Sequence, residues 1–189
     1  MEISEIFKNL SFSEEEYTRL DTVFEKLHLN KGSSLLKTGD PVEYQYFIAQ
    51  GCLRTFYLDK SAKEHTVQFA VQDWWISDYT AFFSNSKATL NIECLQDSQV
   101  FKVSRSNLEE LFIQIPRLET FFRKKLEGAF SSFQKRILAN LSQSAKERYL
   151  DFVASYPNIE QSVKNYHIAS YLGVTTETLS RIRREISSK

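Results

Sequence analysis

The chain has 189 residues, 42% hydrophobic and 25% charged, with 24 basic against 24 acidic side chains. That length suits one large domain or a medium domain beside a small one, and the composition is that of an ordinary soluble globular protein. No stretch approaches the roughly twenty apolar residues that span a bilayer. The acidic opening "MEISEIFKNLSFSEEEY" has no signal-peptide run, so a cytoplasmic address with no membrane partner is expected. The balanced charge conceals a separation. Residues 1–115 carry eleven basic against seventeen acidic side chains, and residues 116–189 carry thirteen against seven. A basic C-terminal part is what binding a polyanion requires, because released phosphate counterions supply much of the affinity. An acidic N-terminal part is repelled by nucleic acid and must have another task.

In chain order, a first helix is expected from Ser13 to Leu27, with "SEEE" at the end where the helix dipole favours negative charge. The chain then turns extended. "YQYFIAQGCLRTFYL" (Tyr44 to Leu58) is aromatic and apolar around Gly51, which suits two strands joined at a tight turn or a bend. "HTVQFAV" alternates through Val67, Phe69 and Val71; "TLNIECL" alternates through Leu90, Ile92 and Cys94; "SQVFKVS" adds another short strand. Turn signals such as "TGDP" and "QDSQ" between short strands predict an antiparallel barrel or sandwich. Cys52 and Cys94, each among apolar neighbours, read as buried free thiols and offer no disulfide framework. His28, His65 and His167 have no metal-ligand spacing and read as surface or capping residues. No metal site is expected, and without a His-x-His or carboxylate cluster no enzyme is expected either.

From Pro116 the period becomes helical. Leu118, Phe122, Leu126, Ala129, Phe133 and Ile137 recur at three- or four-residue steps, and Phe121, Phe130, Leu138 and Leu141 widen the stripe. One reading packs this long helix on its own barrel; the other makes it a dimer interface in the manner of a coiled coil. The stripe is too wide for one partner, so both are expected. The last elements lie in "HIASYLGVTTETLSRIRR". Ile168, Ala169 and Leu172 fit one helix face, and Gly173 suits a left-handed cap. Thr175 can cap a second helix in which Leu179, Ile182 and Ile186 are buried. Two short helices around a glycine turn form a helix-turn-helix candidate. Its outward side chains, Thr176, Glu177, Ser180, Arg181 and Arg184, are of the kind that read base edges and phosphates.

An acidic β domain, a long helix and a terminal helix-turn-helix resemble the cyclic-AMP receptor protein / fumarate-nitrate reduction regulator (Crp/Fnr) family of bacterial transcription factors. The resemblance is carried by "GDPVEYQYFIAQGCLR" (Gly39 to Arg54) and by "IASYLGVTTETLSRIRR". It implies an α+β fold: a cyclic-nucleotide-binding-like antiparallel β-roll over residues 1–115, a dimerisation helix over 116–141, and a winged-helix-like DNA-binding domain over 142–189. Lys189 follows the second helix too soon for a strand pair, so a truncated wing is expected. The implied partners are double-stranded DNA, a second copy of the chain and RNA polymerase.

The resemblance also places a ligand pocket around Val67, Gln68, Ser77, Asp78, Tyr79, Lys87, Ala88 and Thr89. Members that bind cyclic AMP carry Gly-Glu-Leu and then Arg-Ser or Arg-Thr there. Here "SDYTAFFSNSKATL" holds Ser77-Asp78-Tyr79 and no arginine, and lysine is no equal substitute for a bidentate guanidinium. Cyclic AMP is therefore not expected to bind, and the effector is left open. Oxygen-sensing members hold an iron–sulfur cluster on four cysteines, which two cysteines cannot supply. On the second helix the resemblance assigns Thr176, Glu177 and Arg181 to base reading. Lys164, Ser180, Arg183 and Arg184 suit phosphates, and Thr175 stands at the helix start. Glu177 has a second reading, orienting Arg181 from one turn away. The competing function is a ligand-sensing or protein-binding module whose helix pair no longer binds DNA.

Overall fold

A computed structural model describes residues 3–157 and 159–188, which divide into two compact units. The first unit comprises residues 1–58 and 67–119; the second comprises Asp59–Thr66 and the chain from Thr120.

The first unit opens with a short 3-10 segment, Ile3–Phe7, and helix α1, Glu14–Val23. Ser13 caps α1 in a reciprocal box with Glu16, so two orphan amides are satisfied at its acidic end. The helix ends at Phe24, short of the expected Leu27, because the chain is taken into strand β1, Glu25–Leu29. β2 (Ser34–Leu36), β3 (Tyr44–Gln50), β4 (Cys52–Leu58), β5 (Glu64–Val71) and β6 (Trp75–Ile76) follow. After helix α2 (Tyr79–Ser84) come β7 (Asn91–Cys94), β8 (Ser98–Ser104) and helix α3 (Arg105–Gln114). The strands form two four-stranded sheets, β1-β8-β3-β6 and β2-β7-β4-β5. This is the expected β-roll.

Gly51 is the bend rather than a hairpin turn: β3 and β4 belong to different sheets. Its φ of 101° is open to glycine, and an added Cβ would lie 2.2 Å from Ser98 Oγ. The core is apolar, with Phe47, Ile48, Leu53, Phe69, Ile76, Ile92 and Val100 at 2% exposure or less. Arg54 is buried among these strands at 1%, and its cost is offset by Glu93 on the facing strand at 2.6 Å and by the Phe56 ring beneath it. Cys52 and Cys94 are buried free thiols, as expected, and burial pushes them up to about 12 and about 11.

The second unit is helical. α4 spans Pro116–Ser142, followed by α5 (Ala145–Ser155), α6 (Ile159–Ser162), α7 (Asn165–Leu172) and α8 (Thr176–Ser187). Ser144 and Glu147 form a second capping box at α5, which holds the Glu147 carboxyl below its usual range. Arg148 reaches forward and donates to the Leu172 carbonyl at 3.2 Å, closing the C-terminal end of α7. One expectation is corrected here. His167 is 3% exposed and packed, not a surface or capping residue, because it falls on the inner side of α7 beside Ile168.

Candidate nucleic-acid interface and sensor site

The helix pair is built by local chemistry. Gly173 takes φ 68° and its N–H returns to the carbonyls of Ala169 and Ser170, ending α7. The Thr175 hydroxyl accepts from the Thr178 amide and starts α8. Ile168, Ala169, Leu172, Leu179 and Ile182 are all at 5% exposure or less, so the two helices share a small dry core. The small Ala169 side chain permits that close approach.

Burying Leu179 and Ile182 turns Glu177, Ser180, Arg181 and Arg184 outward, and all four are exposed. Among the described residues the side chains of Arg181 and Arg184 make no hydrogen bond or ion pair, so two guanidinium groups stand free on one helical face. Glu177 sits over the positive end of α8. Its own amide, then the Thr175 and Thr176 hydroxyls, hold its carboxyl below the usual range. It makes no ion pair with Arg181 among the described residues, so the orienting role has no contact here to support it. Lys164 is exposed at the start of α7, with its ammonium 5.7 Å from the Tyr166 ring centre.

Arg183 is placed differently from the sequence expectation. Its Nη1 donates to Asn165 Oδ1 at 2.6 Å, its Nη2 to Glu160 Oε1 at 3.0 Å and its Nε to the Tyr149 hydroxyl at 3.2 Å. Tyr149 in turn donates to Glu160. Three of its five N–H groups, one on each nitrogen, are engaged in tying α8 to α5, α6 and α7, so the side chain is not free in the way that Arg181 and Arg184 are. A sequence signal existed: residue 183 lies four after buried Leu179 and therefore leans toward the same face.

The long apolar stripe of α4 separates into two parts. Leu118 and Phe122 are buried within the chain, at 0% and 7% exposure. Leu126, Ala129, Phe133 and Ile137 are exposed, and so are Phe130, Leu138 and Leu141, the last at 79%. Six large apolar side chains left in water on one helix mark a surface built to be covered.

In the β-roll, Ser77, Asp78 and Thr89 come together, but the assembly is closed on itself. Asp78 is fully buried and caps α2 by accepting from the Ala81 amide at 3.2 Å. Its second oxygen accepts from the Thr89 amide (2.8 Å), the Leu90 amide (3.0 Å) and the Thr89 hydroxyl (3.1 Å). Ser77 donates to the Tyr44 carbonyl, Tyr79 to the Gln45 side chain, and Gln68 to the Trp75 carbonyl. Ala88 is buried and exchanges backbone bonds with the Gly39–Asp40 turn, while Lys87 is exposed and Val67 half-buried. A separate cleft of about 670 Å³ is lined by Thr22, Tyr44, Lys102, Arg105 and others, and by none of the eight expected pocket residues. Its cations are already answered, Lys102 by Glu25 and Arg105 by Glu109. An iron–sulfur cluster does not fit, because four thiolate ligands are needed and the chain has two cysteines, both buried.

The model of the cyclic nucleotide-binding domain matches residues 26–114. The anaerobic regulatory protein of Pasteurella multocida is 25% identical over 95% of this chain and 70% of its own length. The fumarate and nitrate reduction regulatory protein of Yersinia pestis is 24% identical over 95% and 76%. Among solved structures, FixK2 from Bradyrhizobium japonicum superposes with a TM-score of 0.74 at 20% identity, over 88% of this chain and 85% of that one. Relatives, domain model and fold agree: residues 26–114 match the cyclic nucleotide-binding domain, and the chain as a whole is similar to regulators of the Crp/Fnr type.

Proposed function

We propose that this chain is a DNA-binding transcription regulator that recognises palindromic operators as a homodimer. Residues 1–115 form its sensor, 116–141 its dimerisation helix and 142–189 its reader. The observation that carries the reading is the pair of unengaged guanidinium groups, Arg181 and Arg184, on the exposed face of a capped α8. On this reading Arg181 donates to guanine O6 and N7, and Glu177 accepts from cytosine N4. Arg184, Ser180 and Lys164 hold phosphates, with Thr176 beside the bases. A second copy covers the exposed part of the α4 stripe, and RNA polymerase is the further partner that the resemblance to Crp/Fnr regulators implies.

The sensor, on the same reading, does not respond to cyclic AMP. The segment has no arginine for the phosphate, and the Asp78 carboxylate already occupies the amides of Ala81, Thr89 and Leu90 that face it. A phosphate approaching there would find those amides already engaged by Asp78, and the exposed Lys87 ammonium is no equal of a bidentate guanidinium. The test of the DNA reading is titration of the protein into labelled random duplex at several salt concentrations. Binding that weakens steeply with salt is expected, since each phosphate neutralised contributes a slope of about −0.9. No binding at low salt would leave the helix pair as a structural prop.

A further inference from the structure

We propose that Arg183 and Asn165 are positioning residues for DNA reading. Together they form a polar clamp that fixes the phosphate-holding start of α7 against the base-reading helix α8. This rests on the DNA reading above.

Two helices joined by a turn are fixed at the turn and free to splay at the other end. Gly173 and Thr175 hold the turn. The dry contact among Ile168, Leu172, Leu179 and Ile182 resists separation, but apolar burial is non-directional and sets no precise angle. The far end is joined by one side chain. Arg183 Nη1 donates to Asn165 Oδ1 at 2.6 Å, across eighteen residues of chain. Asn165 opens α7 directly after Lys164, and Arg183 lies two residues beyond Arg181. Each end of this bond therefore sits beside a residue assigned to DNA.

The guanidinium is itself held from outside the pair. Nη2 donates to Glu160 Oε1 of α6 at 3.0 Å, and Nε donates to the Tyr149 hydroxyl of α5 at 3.2 Å. That hydroxyl passes its own proton to Glu160, and Tyr149 is 5% exposed. A guanidinium is planar, so bonds on all three nitrogens fix its orientation as well as its place. At 3.6 residues per turn, Arg183 stands about 200° round α8 from Arg181. The clamp thus grips the side of α8 away from the reader and leaves Glu177, Arg181 and Arg184 exposed. Phosphate contacts set a protein's register on the duplex, and base contacts read from that register. A clamp between the two acts on specificity, not on affinity for DNA in general.

The experiment compares, for the full chain, the duplex that the wild type enriches from a random library with random duplex. Asn165→Ala removes the acceptor at an exposed position and supplies a better helix former, so α7 is not weakened. Binding to the enriched duplex should fall roughly tenfold, the worth of one hydrogen bond to a charged group. Random-duplex affinity and its salt slope should stay at wild-type values, because no cation is removed. Tyr149→Phe keeps the buried ring and removes only the hydroxyl, yet it should lower the preference for the enriched duplex in the same way. Glu160→Ala should lower that preference too, whereas Glu160→Gln, which keeps an accepting oxygen, should retain it. Wild-type preference in both Asn165→Ala and Tyr149→Phe would overturn the clamp. So would an Asn165→Ala variant that weakens enriched and random duplex alike while Tyr149→Phe matches the wild type, since Asn165 would then be a direct phosphate contact. A wild type that enriches no duplex would instead overturn the DNA reading on which the clamp depends.

Discussion

Two arginines on α8 two residues apart have opposite fates, and burial geometry explains why. Arg181 follows exposed Ser180 and projects outward, whereas Arg183 leans over the Leu179 side and meets Tyr149, Glu160 and Asn165. The variants should separate accordingly. Lys164→Ala removes an exposed cation, which on the proposed reading holds a phosphate, so it should weaken all duplexes alike and flatten the salt slope by about one unit. Arg183→Ala should leave that slope nearly unchanged but lower the unfolding midpoint, by about 1–2 kcal/mol of stability after allowance for its part-exposed partners. Titrations at several salt concentrations and thermal melts of both variants check this. A flattened slope in Arg183→Ala would return that residue to the phosphate contacts. Asp78 makes the same point inside the roll. Sequence gives its identity and the missing arginine, but the four donors that saturate it come from a helix start and a loop eleven residues on.

Among the elements, α4 carries the sharpest consequence. Its exposed apolar residues predict a homodimer, and Phe133→Glu would bury an unpaired carboxylate at the interface, at a cost of several kcal/mol. Sedimentation should then show a monomer; an unchanged dimer would put the interface elsewhere. The elements legible in sequence were those specified by nearby residues. Thr175 caps α8 and Gly173 ends α7 because both act within one turn of chain, and the alternation in β7 shows because Ile92 and Cys94 face a core. β1 was missed since "EKLHL" is half charged and its pairing with β8 lies some seventy residues away. α3 was missed as well, its cap supplied by Ser104 at the end of a strand that the pattern did read. The division of the α4 stripe could not be read either, because period alone does not tell a residue buried within the chain, such as Leu118, from one left exposed.

At the scale of the whole molecule, charge and architecture run in parallel: the acidic residues 1–115 hold the β-roll and the basic residues 116–189 hold α4 to α8. The sensor should fail to bind cyclic AMP, and calorimetry with micromolar or tighter binding would contradict the reading of Asp78 and the 77–89 segment. The central claim is that α8 reads DNA, and selection from a random duplex library, run with wild type and Arg181→Ala, tests it most directly. The wild type should enrich a palindrome whose half-site centres lie about ten base pairs apart. Arg181→Ala should relax one guanine in each half-site, at a cost of about 1–3 kcal/mol. A wild type that enriches no palindrome, or an Arg181→Ala variant that selects the unaltered motif, would contradict it.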